Sequence, residues 1–185
     1  MSRPIARPAP RRIGPRARGC IMFFEACRLR AYRCSAGKWT IGWGNTFYED
    51  GRAVRAGDVI TRERAEQLFE NLLPAYERAV EAALQGAPAS AAQFGALVSL
   101  GWNIGTGALR GSTLIRLHNA GQYAAAADQF PRWNRSAGQV TFGLVRRRAV
   151  ERLLYLNDLD RFDEQLRLRR AGRDLEADRL AGVSR

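Results

Sequence analysis

The sequence predicts an α+β fold that is mostly helical, with a small β-hairpin near the N-terminus. Trp39, Ile41 and Trp43 alternate with small or polar residues between glycines, which is the pattern of a short strand in a turn-rich segment. Residues 65–84 carry apolar side chains at helical spacing, which predicts one long amphipathic helix. Residues 94–104 are apolar on almost every side, which is typical of a helix buried in a core.

The length and composition are those of a globular protein. A chain of 185 residues is long enough for one domain, or one domain with two lobes, around a sizeable core. Its content of 46% hydrophobic and 26% charged residues is ordinary for such a domain. We predict no membrane span, because the sequence has no apolar run of about 18 residues. The apolar stretch over residues 19–24 is too short for a secretion signal.

The charged residues divide the chain, whose net charge is +12, into three parts. Residues 1–18 contain six Arg, four Pro and no acidic residue, which predicts a disordered basic arm. Residues 19–156 hold 17 basic and 11 acidic side chains and are predicted to form the folded domain, whereas residues 157–185 hold seven of each. A chain this basic is attracted to polyanions; the alternative is that the charge only increases solubility and has no dedicated partner.

Capping residues predict the bounds of the two long helices. Thr61 is placed to cap the first helix, and Gln85 with Gly86 ends it. Ser90 and Gln93 have the spacing of a capping box at the start of the second helix.

Shorter helices are predicted in the second half of the chain. Ser112 can cap a helix that runs to Gly121, and a further helix over residues 123–130 would be stopped by Pro131. These segments are separated by glycines, so we expect short pieces rather than one long helix.

The last helical pattern runs from residue 145 to 156. It has one apolar face, and the opposite face is predicted to be solvated and carries Arg146, Arg147, Arg148 and Arg152. Residues 157–185 are poor in large apolar groups. We therefore predict that this extension forms a solvent-exposed helix, with pairs such as Asp163 and Arg167, or that it frays.

Three cysteines and one histidine limit the chemistry. Cys20, Cys27 and Cys34 are odd in number and lack metal-ligand spacing, so we expect thiols and no metal site. A disulfide between Cys27 and Cys34 is the alternative, and it would occupy Cys34. His118 is the only histidine and most simply ends a helix, which argues against Ser-His-Asp and Cys-His catalysis.

An acid, a thiol and a hydroxyl surround the predicted hairpin. Glu25 follows the apolar run of residues 21–24, which looks like the end of a short helix. Apolar surroundings raise the pKa of a carboxyl toward the range of a general acid. Cys34 and Thr40 are expected on the small sheet. The three side chains therefore indicate an active site.

The spacing of these residues resembles the signature of the phage-type lysozymes, glycoside hydrolase family 24. In that signature Glu is followed after eight residues by Asp or Cys and after five more by Thr, as Glu25, Cys34 and Thr40 are here. Further segments that resemble the family follow in its order, at residues 31–32, 40–44, 58–61, 93–99, 103–105 and 143–148. One departure is Asn45, where most relatives carry His.

The resemblance implies a two-lobed, lysozyme-like fold in which the long helix joins a small β-hairpin lobe to a larger helical lobe. It implies an endolysin that hydrolyses the β-1,4 bond between N-acetylmuramic acid and N-acetylglucosamine in peptidoglycan. We expect a monomer with no cofactor and no specific nucleic acid partner. Such an enzyme would be made in the cytoplasm of the host bacterium and act in the periplasm, where residues 1–18 would contact the anionic outer membrane.

Each candidate residue has an expected role in this interpretation. Glu25 would protonate the leaving oxygen. Cys34 and Thr40 would position the nucleophilic water for a single displacement; Cys34 as nucleophile or electrostatic stabiliser is the alternative. The candidate substrate-binding residues are Asn103, Thr106, Trp133 and, on the resemblance alone, Arg148; for Trp133, a place in the core is the alternative. A different class of function is also open, a catalytically silent basic protein that keeps this fold and binds the wall or another polyanion.

Overall fold

The computed structural model describes residues 10–34 and 37–183, and these form a mostly helical α+β fold. The helices are α1 (Pro15–Glu25), α2 (Arg62–Leu84), α3 (Ala91–Ile104), α4 (Thr106–Arg110), α5 (Thr113–Asn119), α6 (Tyr123–Ala127), α7 (Phe142–Tyr155), α8 (Leu159–Arg170) and α9 (Asp174–Ala181). The strands are β1 (Arg28–Arg33), β2 (Trp39–Gly42), β3 (Arg135–Ser136) and β4 (Gln139–Val140). In this described part of the chain, no helix is both long and apolar enough to cross a membrane.

β1 and β2 form the predicted hairpin at the centre of a small lobe. The strands are antiparallel, with Tyr32 opposite Thr40 and Arg33 opposite Trp39. The lobe has an apolar cluster of its own, formed by Ile41, Tyr48, Val54 and Leu68. Since Leu68 belongs to α2, this cluster packs the small lobe onto the N-terminal part of that helix.

α2 connects the small lobe to the larger helical lobe, which confirms the predicted architecture. Leu68 packs in the small cluster, whereas Phe69 and Leu73 of the same helix pack in the main core. The hydroxyl of Thr61 accepts a hydrogen bond from the N–H of Arg64 and caps α2 where the sequence predicted.

α3 is the central helix of the main core. Its residues 94–102 are all buried, and it packs against α1, α2 and α7. The capping box of Ser90 and Gln93 is formed as predicted. α1 comes so close to α3 that a Cβ added at Gly95 would lie 2.6 Å from the Cβ of Ala17.

Replacing Gly95 by Ala is expected to lower the free energy of unfolding by about 1–3 kcal/mol, because the added methyl must push α1 away from α3. Gly107→Ala is the matched control: it lies in α4 with no heavy atom within 4 Å of an added Cβ, and should be neutral or slightly stabilising. Chemical denaturation measures both variants. Equal stabilities would show that α1 and α3 can separate without cost.

The prediction of a disordered arm is wrong for residues 10–18. α1 begins at Pro15, whose ring fits the first turn of a helix. Ile13 is buried, and its N–H donates a hydrogen bond to the carboxylate of Glu77 (2.8 Å). Composition was misleading because the carboxylate that binds this segment lies on α2, far away in the sequence. Residues 1–9, the rest of the predicted arm, lie outside the described residues.

The C-terminal extension is helical, which was one of the two predicted alternatives, but the prediction that it is solvent-exposed is wrong. α8 and α9 pack against each other and against α7, and they bury Phe162, Leu166, Leu168 and Ala177. The predicted pair of Asp163 and Arg167 is not formed. Asp163 instead accepts hydrogen bonds from Arg16 of α1, and Arg167 binds Glu164. The few apolar residues of the extension suffice because they lie toward the rest of the core.

Short elements between α3 and α7 differ from the prediction. Ser112 caps α5 as expected. α6, however, ends at Ala127, and Pro131 lies inside a 3-10 turn at Phe130–Arg132 rather than after a helix. Neither α4 nor the β3–β4 hairpin was predicted. Pieces of two to five residues are too short for hydrophobic periodicity to reveal them.

Candidate active site

Glu25 ends α1, as the sequence predicted, and its carboxyl faces the turn after β2. Its side chain is 17% exposed. A Cβ added at Gly44 would lie 2.9 Å from Oε2 of Glu25, and Gly44 has a φ of +90°. Glycine at this position therefore serves two purposes: it adopts a backbone conformation that other residues avoid, and it leaves room for the carboxyl.

Arg147 holds the other oxygen of this carboxyl, a contact that the sequence analysis missed. Its Nη1 donates to Oε1 of Glu25 at 2.6 Å, and its side chain is only 3% exposed. Burial alone would lower the pKa of Arg147, but the charges of Glu151 and Glu25 raise it, so the guanidinium stays charged. The expected apolar surroundings of Glu25 therefore include a charged partner that was not predicted. The only sequence signal was the arginine run on α7, which we predicted to be solvated.

A buried polar network lies behind this pair. Oε1 of Glu151, a residue with 0% exposure, accepts hydrogen bonds from Arg147 (3.0 Å), Arg148 (3.1 Å) and Ser99 (2.7 Å). The thiol of Cys20 adjoins Ser99, and burial raises its pKa to about 12. Because these charged groups have hydrogen-bond partners, the network fixes the guanidinium of Arg147 from the core side.

Aromatic side chains also surround Glu25. Burial raises the pKa of both Tyr32 and Tyr76, and the charge of Glu25 raises it further in each. The ring centroid of Tyr76 lies 4.5 Å from that of Trp102, whose indole N–H donates to the carbonyl of Trp43 (3.1 Å). These contacts connect the large lobe to the turn that faces the carboxyl.

Cys34 and Thr40 both lie at the β1–β2 hairpin and contact the same carbonyl. The N–H of Cys34 and the hydroxyl of Thr40 both donate to the carbonyl of Lys38, at 3.0 and 3.1 Å. Thr40 is buried and Cys34 is half-buried. Tyr32, which pairs with Thr40 across the hairpin, has its pKa raised chiefly by burial and then by Glu25 and Cys34. Tyr32 thus lies within electrostatic range of Glu25 and Cys34.

A cavity of about 820 Å³ opens beside Glu25 on the side of the large lobe. Two of the four predicted substrate-binding residues, Asn103 and Trp133, line it. Thr106 is not part of its lining, and neither is Arg148, which is buried and donates to Glu151 and to the carbonyl of Trp133. It is the neighbouring arginine, Arg147, that reaches the cavity.

Other residues of the cavity were not singled out from the sequence. They come from the end of α1, from α3, from the β3–β4 region and from α7: Phe24, Ile104, Arg132, Arg135, Ser136, Thr141, Gly143 and Leu144. Among the described lining residues, Glu25 is the one acid, and Cys34 and Thr40 are not part of this wall. The cavity therefore offers apolar and hydrogen-bonding surface, arginine side chains, and a single carboxyl that can exchange a proton.

Asn45, His118 and the cysteines, which were also noted in the sequence, can now be located in the structure. Asn45 is buried, and its side-chain oxygen accepts from the N–H of Trp43 (3.2 Å), which holds the turn that contains Gly44. His118 is buried against Tyr155, and burial lowers its pKa. The three cysteines are thiols. Within the described residues, no group of three or more His, Cys, Asp or Glu side chains is arranged to hold a metal ion.

Comparisons with known proteins agree with this geometry. The family model for phage lysozyme matches residues 22–151. The endolysin of Salmonella phage P22 is 41% identical over 133 residues, which cover 72% of this chain and 90% of that protein. The endolysin of Bacillus phage B103 is 39% identical over 138 residues, or 74% of this chain, but the chain spans only 51% of that relative's length. A solved endolysin from Escherichia coli O157:H7 phage FAHEc1 superposes with a TM-score of 0.69 at 38% identity, covering 81% of this chain and 96% of that one.

Proposed function

Because this chain belongs to the phage lysozyme family, we propose that it is an endolysin that acts as a muramidase. The bond cleaved is the β-1,4 bond between N-acetylmuramic acid and N-acetylglucosamine in bacterial peptidoglycan. The observation that carries this proposal is a carboxyl at the end of α1 that faces a large cavity and is held by a buried arginine. The experiment that tests it is the replacement of Glu25, described in the Discussion.

Glu25 is the general acid of the proposed reaction. Cleavage of a glycosidic bond requires a proton on the leaving oxygen while an oxocarbenium-like centre develops on the sugar. Arg147 binds Oε1, so Oε2, the oxygen that faces Gly44, is the one left to carry the proton. Arg147 keeps the carboxyl oriented during the transfer.

Cys34 and Thr40 serve the nucleophilic water in this proposal. The backbone N–H of Cys34 and the hydroxyl of Thr40 bind one carbonyl on the hairpin, and the charge of Glu25 acts on Tyr32 of the same hairpin. A neutral thiol is a weak base, and for that reason a water held by Cys34 and Thr40 is a better nucleophile than the sulfur itself. Asn103 and Trp133, which line the cavity beside Glu25, bind the sugar chain.

A single displacement predicts that the product forms with inverted configuration at the anomeric carbon, so a β-linked chain gives the α-anomer first. Proton NMR on solubilised peptidoglycan, recorded within the first minutes of hydrolysis, measures the ratio of anomers before mutarotation. A retaining lysozyme run in parallel is the control for mutarotation. Net retention by this protein would rule out the water mechanism and favour Cys34 as nucleophile.

The proposed setting is a monomer that is made in the host cytoplasm and acts on the wall in the periplasm. Contact with the anionic outer membrane was expected from residues 1–18, but Arg11, Arg12, Arg16 and Arg18 of that segment form ion pairs with Glu81, Glu77, Asp163 and Glu70. Four of its six arginines are therefore partly neutralised. The proposed membrane contact then depends on Arg3 and Arg7.

A further inference from the structure

The C-terminal helices α8 and α9 lie beyond residue 151, where the match to the family model ends. They are joined to α7 by a cluster of ion pairs. The guanidinium of Arg146, on α7, donates to both oxygens of Asp178 at 2.7–3.2 Å and to Asp174 at 2.8 Å. Both aspartates belong to α9.

Arg169 of α8 completes the cluster. Its Nη1 lies 3.0 Å from Asp178 and 3.2 Å from Asp174. Burial by itself would raise the pKa of Asp178, but hydrogen bonds from Arg146 and Arg169 hold it below the ordinary value, so the carboxylate stays charged. We call these four residues, Arg146, Arg169, Asp174 and Asp178, the brace.

The brace meets α7 at the turn that forms a wall of the cavity beside Glu25. Gly143, Leu144 and Arg147 line that cavity, and Arg146 points to α9 instead. At the start of α7, Thr141 at the N-cap makes no side-chain capping bond, although it binds Asn134, and residues 142–146 are not buried. The contacts of Arg146 with α9 therefore help to hold this turn from the side away from the core.

We propose that the brace is a positioning device for catalysis: it fixes the first two turns of α7 so that Arg147 holds Glu25 in the orientation for proton transfer. The inference rests on the proposed function, and it assigns a role to an extension that the family match does not cover. The brace residues act through Arg147. None of the four lines the cavity in the described structure.

The test compares three Asp→Asn variants on solubilised peptidoglycan. Asp178→Asn is expected to lower kcat about tenfold with KM changed less than twofold, since misplacement of a catalytic group by about 1 Å can cost about 100-fold. Asp174 is 44% exposed, so Asp174→Asn removes a weaker ion pair from the brace and should lower kcat about threefold. Asp163→Asn is the matched control, because it lies on α8 but pairs with Arg16, and it should keep the parent kcat.

A double-mutant cycle separates positioning from general stability. Arg147→Lys alone should lower kcat, and adding Asp178→Asn to it should cause no further loss, since the brace would have nothing left to position. Thermal unfolding shows which variants are folded at the assay temperature. If Asp178→Asn is unfolded at that temperature, Asp174→Asn takes its place in the cycle. Additive losses, or a parent-like kcat in the folded brace variant, would overturn the proposal.

A readout that does not use activity keeps this inference distinct from the proposed function. In the parent, the Nε–H of Arg147 donates to Glu151, and its NMR signal can be assigned by comparison with Arg147→Lys. Asp174→Asn should shift this signal or broaden it, whereas Asp163→Asn should not. A parent chain without wall hydrolysis would refute the proposed function alone; an Arg147 signal unmoved by Asp174→Asn would refute the brace.

Discussion

Replacing Glu25 by Gln is expected to lower the rate of wall hydrolysis by about 10²–10⁴-fold, the usual contribution of a general acid. Gln has almost the shape of Glu and its side-chain oxygen can still accept from Arg147, but it carries no proton to transfer. Turbidity loss of permeabilised Gram-negative cells and reducing-end release from purified peptidoglycan measure the rate. The free energy of unfolding should change by no more than about 1 kcal/mol, because Arg147 keeps Glu151 as a partner.

A second Glu→Gln change serves as the control for this prediction. Glu66 lies on α2, is half exposed and pairs with Arg62 of the same helix. Glu66→Gln removes the same charge without touching the cavity, so it should clear cells at the parent rate. If Glu25→Gln also cleared cells at that rate, the enzymatic function would be wrong, and a basic protein that binds walls or membranes would be the better account.

Replacing Glu151 by Gln is expected to lower the free energy of unfolding by about 3–5 kcal/mol, the cost of leaving a buried charge without its partner. Glu151 has 0% exposure and lies between the guanidinium groups of Arg147 and Arg148. Without this carboxylate, Arg147 keeps the carboxylate of Glu25, but Arg148 keeps only neutral acceptors, the new amide oxygen and the carbonyl of Trp133. Urea denaturation monitored by tryptophan fluorescence measures the loss.

Glu176→Gln on α9 is the matched control for the buried change. Its side chain is 53% exposed and pairs with Arg173, so its loss should alter the free energy of unfolding by no more than about 0.5 kcal/mol. A loss below about 1 kcal/mol for Glu151→Gln would mean that water reaches the network when the charge is removed. Activity should be compared below the unfolding transition, since Arg147 loses its core-side support as well.

Local patterns account for the features that the sequence predicted well. The bounds of α2 follow from Thr61 and from the 3.6-residue repeat over residues 65–84, and both signals are read from neighbouring positions. The capping box of Ser90 and Gln93 locates α3 for the same reason. Glu25 at the end of α1 and the hairpin that follows it depend on contacts within a few residues. No long-range information was needed for these elements.

Charge pairing across the chain accounts for the features that the sequence predicted wrongly. Arg147 and Glu25 are 122 residues apart, and nothing in the arginine run distinguishes the residue that reaches the cavity from Arg148 beside it. The basic segment of residues 10–18 was predicted to be disordered because its carboxylate partners are supplied by α2 and α8. A charged side chain becomes part of a core only when a partner far away in the sequence is brought to it.

The sequence by itself determined the α+β class, the long connecting helix, the core helix and the order of acid, thiol and hydroxyl around a hairpin, because apolar periodicity and capping act between close neighbours. Only the tertiary structure decided which arginine meets Glu25, where the cavity lies and how α8 and α9 support α7. Those contacts depend on the angles at which helices cross, and helix crossing is settled by the packing of the whole core.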